Sequence, residues 1–486
     1  MSYKFHNSIL RAYDIRGIID ETLSNEDAYF IGKSFAAHLN KEGKNKVVIG
    51  YDGRLSSPEL KDHLAKGLVE SGCEVINIGL GPTPMLYFGV HFLEFDAGIM
   101  ITGSHNPANH NGFKLTLKDS PFFGEQILEL GKISQEGNFT ERKGSLKNKN
   151  ILEDYVNRVI QDSALSREGA LIDEIDDFFP EEKILRVAWD AGNGAAGEAM
   201  KKISKKLKTK DFLLFDKIDG TFPNHHPDPT VEENLIDLRN CVAENNCHLG
   251  IAFDGDGDRI GVIDDEGEVI WGDQLMSIFA KSVLKEQHGA TIIADVKASQ
   301  SLFDAIAENG GKPLMWKTGH SFIKSKMKEI GAPLAGEMSG HIFFADKYYG
   351  FDDALYAAIR LIDILLSSDK KLSDIRKELP KTYATAEIRI ECDDIKKFSI
   401  ISDIQAELRK NNQEFNDIDG VRLNNEDGWW LLRASNTQAV LVARCEGKSL
   451  AKLEKLKENL ANILKKNNVQ LPEILKNNTN FKQVTG

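Results

Sequence analysis

At 486 residues the chain is too long for one hydrophobic core, and a soft allowance of about 150 residues per domain predicts three or four units. Apolar residues at 41% against 28% charged ones are ordinary for a folded globular chain and argue against long disordered regions. A net charge of −13 repels nucleic acid and anionic membrane, and requires any anionic small molecule to meet a local cluster of Arg and Lys.

The five cysteines, Cys73, Cys241, Cys247, Cys392 and Cys445, are odd in number and form no CxxC pair. This speaks against a zinc knuckle or disulfide framework and for buried reduced thiols. The first residues, Met1-Ser2-Tyr3-Lys4-Phe5-His6-Asn7, lack the basic start and apolar core of a signal peptide, and no run of about 18 apolar residues could cross a bilayer. A cytoplasmic protein is expected.

In chain order, Arg16 comes first, in Arg11-Ala12-Tyr13-Asp14-Ile15-Arg16-Gly17. Next, Lys46-Val47-Val48-Ile49-Gly50-Tyr51-Asp52-Gly53 reads as an apolar strand ending in an acid, followed by a turn and helix. The same plan returns at Leu185-Arg186-Val187-Ala188-Trp189-Asp190-Ala191-Gly192 and Thr291-Ile292-Ile293-Ala294-Asp295-Val296. Short apolar runs followed by helical patterns predict buried strands of mixed α/β sheets. The three aspartates lie 138 and 105 residues apart, which suits tandem related domains and is too irregular for a solenoid.

Ile99-Met100-Ile101-Thr102-Gly103-Ser104-His105-Asn106-Pro107 ends a strand in a tight turn that places Ser104 at a sheet edge, where α/β enzymes bind ligands. Pro107 restricts Asn106 to extended geometry. Alone, a serine in such a turn is more often structural, and the GxSxG elbow of a hydrolase is missing. Lys114 follows in Asn111-Gly112-Phe113-Lys114. Gly192-Asn193-Gly194-Ala195-Ala196-Gly197 matches GxGxxG after a strand, with Asp216 where a ribose-binding acid would fall. The same glycines serve equally for a tight turn and close packing, so a nicotinamide-dependent oxidoreductase stands only as a runner-up.

The sharpest local pattern is Phe253-Asp254-Gly255-Asp256-Gly257-Asp258-Arg259. Alternate residues of an extended segment face one side, about 6.6 Å apart, and the glycines let the backbone curl until three carboxylates converge. Three facing anions require a cation, and hard oxygen ligands select magnesium, manganese or calcium. An EF-hand demands glycine at its sixth position, where this loop has Arg259, and the apolar flanks read as strands. Further on, Lys297 follows the strand ending at Asp295, His320 lies in Thr318-Gly319-His320, and His341 closes Gly336-Glu337-Met338-Ser339-Gly340-His341. The C-terminal part alternates at Thr385-Ala386-Glu387-Ile388-Arg389-Ile390, then predicts a helix near 396–410, strands around 429–433 and 439–445, and a helix capped by Ser449 with Leu450, Leu453, Leu460 and Leu464 as its stripe. Arg433-Ala434-Ser435-Asn436-Thr437-Gln438 sets a guanidinium, hydroxyls and an amide between two strands, a suitable phosphate clamp.

Together and in this order, RAYDIRG at 11–17, TGSHNP at 102–107, NGFK at 111–114, DGDGDR at 254–259, WKTGH at 316–320, GEMSGH at 336–341 and RASNT at 433–437 resemble the phosphohexomutase superfamily, most closely its bacterial phosphomannomutase/phosphoglucomutase branch. The resemblance implies three related α/β domains and a smaller C-terminal α+β domain around a central cleft. The bounds expected here are 1–153, 154–268, 269–380 and 381–468, with a polar tail at 469–486. It implies Ser104 as the phosphoserine and Asp254, Asp256 and Asp258 as Mg2+ ligands, with a phosphate oxygen on Ser104 completing the set. Glu337 and Ser339 resemble the sugar-reading loop, and Arg433, Ser435, Asn436 and Thr437 the loop that holds the non-reacting phosphate. Tyr13, Arg259, Lys297, His320 and His341 fall on ligand-contacting positions. Arg16, Lys114 and His105 fall near the reacting phosphate, with the proton carrier left open among them. The family often has proline shortly after the serine-asparagine-threonine run, and here Ala439 occupies that region. The implied activity interconverts hexose 1- and 6-phosphates of mannose or glucose, with hexose 1,6-bisphosphate as intermediate and activator. Hexose phosphates are the expected partners, in a monomer or weak oligomer; a magnesium-dependent sugar phosphatase using the same serine is the alternative.

Overall fold

The computed structural model describes residues 2–165, 184–436 and 438–476. The short apolar runs form buried strands, as in β2 and β4 below, where Val47, Val48, Ile49, Ile99, Met100 and Ile101 are sealed on both faces. The first sheet contains β1 (Ile15–Ile18), β2 (Lys46–Tyr51), β3 (Glu74–Leu80), β4 (Ala97–Ile101), β5 (His110–Leu117), β6 (Ser120–Pro121) and β7 (Ser145–Asn148). Its order is β1-β5-β4-β2-β3-β7, with β6 paired to β5. The second contains β8 (Arg186–Asp190), β9 (Lys210–Leu214), β10 (Leu249–Phe253), β11 (Ile260–Asp264) and β12 (Val269–Ile270), ordered β12-β11-β10-β8-β9. The third contains β13 (Thr291–Asp295), β14 (Lys312–Trp316), β15 (Leu334–Gly336) and β16 (Ile342–Phe344), ordered β14-β13-β15-β16.

The three sheets repeat one plan. A central strand (β2, β8, β13) is parallel to the strand on either side, and the third strand of the set turns back into an antiparallel partner. That reversal is where each sheet carries one of the loops singled out in the sequence: 102–109 between β4 and β5, 254–259 between β10 and β11, and 337–341 between β15 and β16. Asp52 and Asp295, which follow or end the central strand, accept backbone N–H bonds from their own reversal loops, at Gly103 (3.1 Å) and Met338 (3.2 Å). In the second sheet Asp190 instead accepts from Gly192 N and the His225 ring.

The fourth sheet, β17 (Tyr383–Ala384), β18 (Ile388–Glu391), β19 (Val421–Asn425), β20 (Gly428–Ala434) and β21 (Val440–Gly447), is wholly antiparallel and carries helices Lys396–Lys410 and Leu450–Lys466. Ser449 caps the latter by accepting from Lys452 N. The strand at 421–425 was not expected from the sequence. One continuous apolar core runs through the first three units, from Phe88 through Trp189 and Phe253 to Tyr356. The fourth has its own core and meets the third through a small cluster of Val296, Trp429 and Leu431. Leu475 is buried against that fourth core with Val469, Leu471 and Ile474 beside it, so packing continues into the stretch read as a tail; residues 477–486 lie outside those described. All five cysteines are unpaired, four buried as expected and Cys392 only half-buried. No described helix is long and apolar enough to cross a membrane.

Candidate active site

The serine turn and the aspartate turn meet. Ser104 Oγ lies 3.1 Å from Asp254 Oδ2 and 3.2 Å from His105 Nδ1, and the serine is buried. Ser104 adopts φ +49, a left-handed conformation costly for a non-glycine residue. Arg54, fully buried, holds it there. Its guanidinium donates to the carbonyls of Ser104 (2.8 Å), Asn106 (2.6 Å), Pro107 (2.6 Å) and His110 (2.9 Å), while its Nε lies 3.2 Å from Asp52. From the second unit, His226 Nε2 donates to the His105 carbonyl at 2.5 Å.

The aspartate turn is closed by Asp254 Oδ1, which accepts from the N–H groups of Asp258 and Arg259, both at 3.1 Å. Gly255 is forced by close approach: a Cβ there would fall 2.4 Å from the Ser104 carbonyl. The three carboxylates are buried, and one oxygen of each lies within 4.8 Å of the others. Lys114 donates to Asp256 Oδ2 at 2.7 Å and to Asp258 Oδ2, and Thr83 Oγ1 donates to Asp256 Oδ2 at 2.5 Å. Asp256 Oδ1 and Asp258 Oδ1 accept no hydrogen bond. Buried carboxylate oxygens with free lone pairs, converging beside a serine hydroxyl, fit a hard divalent cation.

Charge is unevenly held. Burial, then Asp256 and Asp258, pushes the Asp254 carboxyl well above the usual range. For Asp256 burial works upward, but Lys114 outweighs it and holds the carboxyl down. Burial opposes the Lys114 and Arg16 charges, yet Asp256 with Asp258, and Asp14, respectively, keep both raised. Arg16 donates to Asp14 at 2.8 Å and to the Thr102 carbonyl at 3.0 Å. Burial, with Arg259 and Arg16 nearby, drives His105 well below its ordinary value, so it is neutral.

Arg259 carries the site into the third unit. It pairs with His341 as an isolated antiparallel bridge, and its Nε donates to His341 Nε2 at 3.0 Å. His341 stacks on His320 at 5.6 Å between centroids, and His320 lies edge-on to Tyr13 at 6.1 Å. Tyr13 OH donates to the Thr318 carbonyl (2.9 Å) and accepts from Asn436 Nδ2 (2.6 Å), so three units touch at one phenol. Glu337 accepts from Gly319 N, and Ser339 is half-buried in the same loop. Arg433 donates to Asp419 Oδ2 at 2.9 Å, an oxygen that also accepts from Thr318 N at 3.1 Å. Ser435 Oγ accepts from Gln438 N at 3.2 Å. Lys297 lies 3.3 Å from Glu387. Thr437 lies outside the described residues.

The sequence-derived residues thus form two ends, Ser104 with the aspartates and Arg433 with Asn436, joined by the His341–His320–Tyr13 row. Sequence reasoning missed Arg54, Thr83, Asp352 and Asp419. Only Arg54 had a local signal, two residues after the acid that closes an apolar strand. The GxGxxG turn supports the aspartates: Ala195 N donates to the Gly255 carbonyl at 2.9 Å, and a Cβ at Gly197 would fall 2.2 Å from the Asp216 carbonyl. Those glycines pack against protein, and Asp216 pairs with Lys201.

Three repeats of one α/β plan and a fourth antiparallel unit, each lending a loop to one cleft, define a four-domain sugar-phosphate mutase architecture. The chain belongs to the phosphoglucomutase/phosphomannomutase family: its α/β/α domains I, II and III match residues 7–141, 173–267 and 271–383, and its C-terminal domain matches 387–463. It is 44% identical over 450 residues to a phosphomannomutase/phosphoglucomutase of Pseudomonas syringae, covering 93% of each chain. It is 41% identical to a phosphoglucomutase of Neisseria gonorrhoeae, covering 94% of this chain and 97% of that one. A crystal structure of a Burkholderia thailandensis phosphoglucomutase/phosphomannomutase family protein superimposes with a TM-score of 0.88 at 39% identity, covering 96% of this chain and all of the other.

Proposed function

We propose that this protein is a phosphohexomutase interconverting hexose 1-phosphate and hexose 6-phosphate, of mannose or glucose, through phospho-Ser104 and a hexose 1,6-bisphosphate that remains in the cleft. The observation that carries this reading is the 3.1 Å approach of Ser104 Oγ to Asp254, residues 150 apart in sequence and on different sheets. Phosphate-monoester cleavage is so slow unaided that enzymes accelerate it by up to about 10²¹, and phosphoryl transfer asks chiefly for in-line positioning and charge neutralisation.

In this reading Asp254, Asp256 and Asp258 hold Mg2+, which when bound neutralises phosphoryl oxygens. Arg16, Lys114 and Arg259 add fixed positive charge at the same end. The sugar hydroxyl attacks phosphorus, the bond from phosphorus to Ser104 Oγ breaks, and the hydroxyl proton ends on that oxygen. Of the three residues left open by the sequence, His105 suits the proton: it is neutral and 3.2 Å from Ser104 Oγ, whereas Arg16 and Lys114 are held charged by carboxylates. Arg433, Ser435 and Asn436, with Thr437 of the same run, grip the resting phosphate. Tyr13, Lys297, His320, Glu337, Ser339 and His341 line the sugar between. The bisphosphate then turns over, and its other phosphate returns to Ser104. The apolar contact between third and fourth units is a small cluster and the rest is polar, which suits a fourth unit that swings to permit the turn. One chain supplies every group, so a monomer or weak oligomer suffices, and unpaired cysteines suit a cytoplasmic setting.

The decisive experiment gives the protein mannose 1-phosphate with Mg2+ and a trace of glucose 1,6-bisphosphate. Mannose 6-phosphate should accumulate, and intact mass should show one phosphate on the wild type and none on Ser104→Ala, whose turnover falls by several orders of magnitude. Free mannose and inorganic phosphate as products would mean a phosphatase instead.

A further inference from the structure

The clamp end of the cleft contains a carboxylate that a site for anions would be expected to exclude. Lys297 is buried on the third unit, and its Nζ lies 3.3 Å from Glu387 Oε2 of the fourth unit and 3.9 Å from Asp295 Oδ2 of its own. Asp295 is engaged elsewhere. It accepts from Met338 N at 3.2 Å and from Thr318 Oγ1 at 3.0 Å, and burial pushes its carboxyl up to about 6. Glu387 is therefore the counter-ion of Lys297. Lys297 holds the Glu387 carboxyl down to about 2 against burial, and Arg389 and Arg433 add to the effect. The second Glu387 oxygen accepts from Arg389 Nε at 3.2 Å. Arg389 donates in turn at 2.8 Å to Gln438 Oε1, the residue that follows the 433–437 run. One negative charge thus faces three cations where the resting phosphate is to be held.

We propose that Glu387 is a resident counter-anion of the phosphate clamp, which weakens the grip of Lys297 so that the resting phosphate is released and regripped in each turnover. The release rests on the mutase reading, because only a bisphosphate that turns over asks the clamp to let go with the sugar still in the cleft. A phosphate arriving beside Arg433, Ser435 and Asn436 brings negative charge towards Glu387, and like charges in a partly desolvated site repel. When the phosphate leaves, a buried ammonium without a partner would be strongly unfavourable. With Glu387 in place, Lys297 passes from one anion to the other and is paired in both states. Binding shared equally by ground state and transition state lowers KM without raising kcat, so a moderated clamp sacrifices no chemistry.

Glu387→Gln tests this, because it keeps the shape of the side chain and removes its charge. The full chain is titrated calorimetrically with inorganic phosphate in the absence of Mg2+, which leaves the aspartate end unfavourable to anions. Binding should be about tenfold tighter than in the wild type. KM for mannose 1-phosphate should fall with it, and kcat should fall several-fold because the bisphosphate turns over more slowly. Glu387→Gln combined with Lys297→Met removes the pair as a unit and should return phosphate affinity to within about threefold of the wild type. A bridge that merely fastens the fourth unit to the third gives the opposite signs, with weaker phosphate binding and a raised KM. Circular dichroism checks each fold, and Glu387→Ser decides the matter if Glu387→Gln does not fold. Phosphate binding unchanged or weakened in a folded variant overturns the proposal, as does a kcat that does not fall. The titration requires no turnover, so it is read apart from the product assay that judges the mutase reading.

Discussion

Arg54 shows what a nucleophile in a strained turn requires. Ser104 at φ +49 is held by a guanidinium that bonds four carbonyls, those of Ser104, Asn106, Pro107 and His110, a task for a planar fork with five donors. Lysine in its place keeps a charge but has one short-reach donor group. Arg54→Lys should therefore release the turn, lowering kcat at least about tenfold, since removal of one charged buried hydrogen bond alone costs about 1.5–3 kcal/mol. KM should change little because the Arg433 end is untouched; steady-state kinetics on mannose 1-phosphate reads both. A variant with wild-type kcat would show that the serine turn holds itself.

At the level of elements, the hairpin β10–β11 earns its geometry from two backbone contacts, not from its carboxylates alone. Asp254 ties the turn through the N–H groups of Asp258 and Arg259, and Gly255 lets the whole turn rest on the Ser104 carbonyl. Gly255→Ala forces a Cβ to 2.4 Å from that oxygen, so the two turns must separate. Overpacking of this kind costs about 1–3 kcal/mol. The expected result is a lowered Tm together with a raised Mg2+ requirement, measured as activity against Mg2+ concentration. An unchanged requirement would separate the cation site from the approach of the two turns.

The whole molecule is held closed across its cleft by few bonds. Tyr13 OH of the first unit joins Thr318 of the third and Asn436 of the fourth. The fourth unit also docks on the third through Trp429, through the buried Arg422 and Arg444, whose guanidinium groups donate to the Val296, Ala298 and Lys297 carbonyls, and through Asp419 with Thr318, Glu387 with Lys297 and Glu446 with Ser299. Those contacts can act as a pivot, whereas the phenol ties the first unit to the third and fourth. Tyr13→Phe removes about 0.5–1.5 kcal/mol of closure, roughly a 2–10-fold shift towards open. More hexose 1,6-bisphosphate should then escape per turnover, seen as a several-fold greater dependence on added bisphosphate. No change in that dependence would mean that the phenol does not govern closure.

Local chemistry along the chain was enough to predict three α/β repeats, the changed fourth unit, the reduced thiols and the aspartate trio, because strand hydrophobicity, turn residues and alternating carboxylates are written within windows of a few residues. The Ser104 turn was legible in form but not in meaning: nothing near residue 104 announces that residue 254 will face it. Arg54, Thr83, Asp352 and Asp419 belong to no motif: Arg54 and Thr83 act on loops 50 or more residues away, Asp352 pairs with His341 of its own unit only because the chain folds back, and Asp419 acts on nearby Arg433 as well as on Thr318. The GxGxxG pattern was ambiguous until the Gly255 and Asp216 carbonyls were found against it. Periodicity and composition determine which elements form; which side chains share a buried space is decided by how the sheets pack, and that depends on contacts the chain makes only once folded.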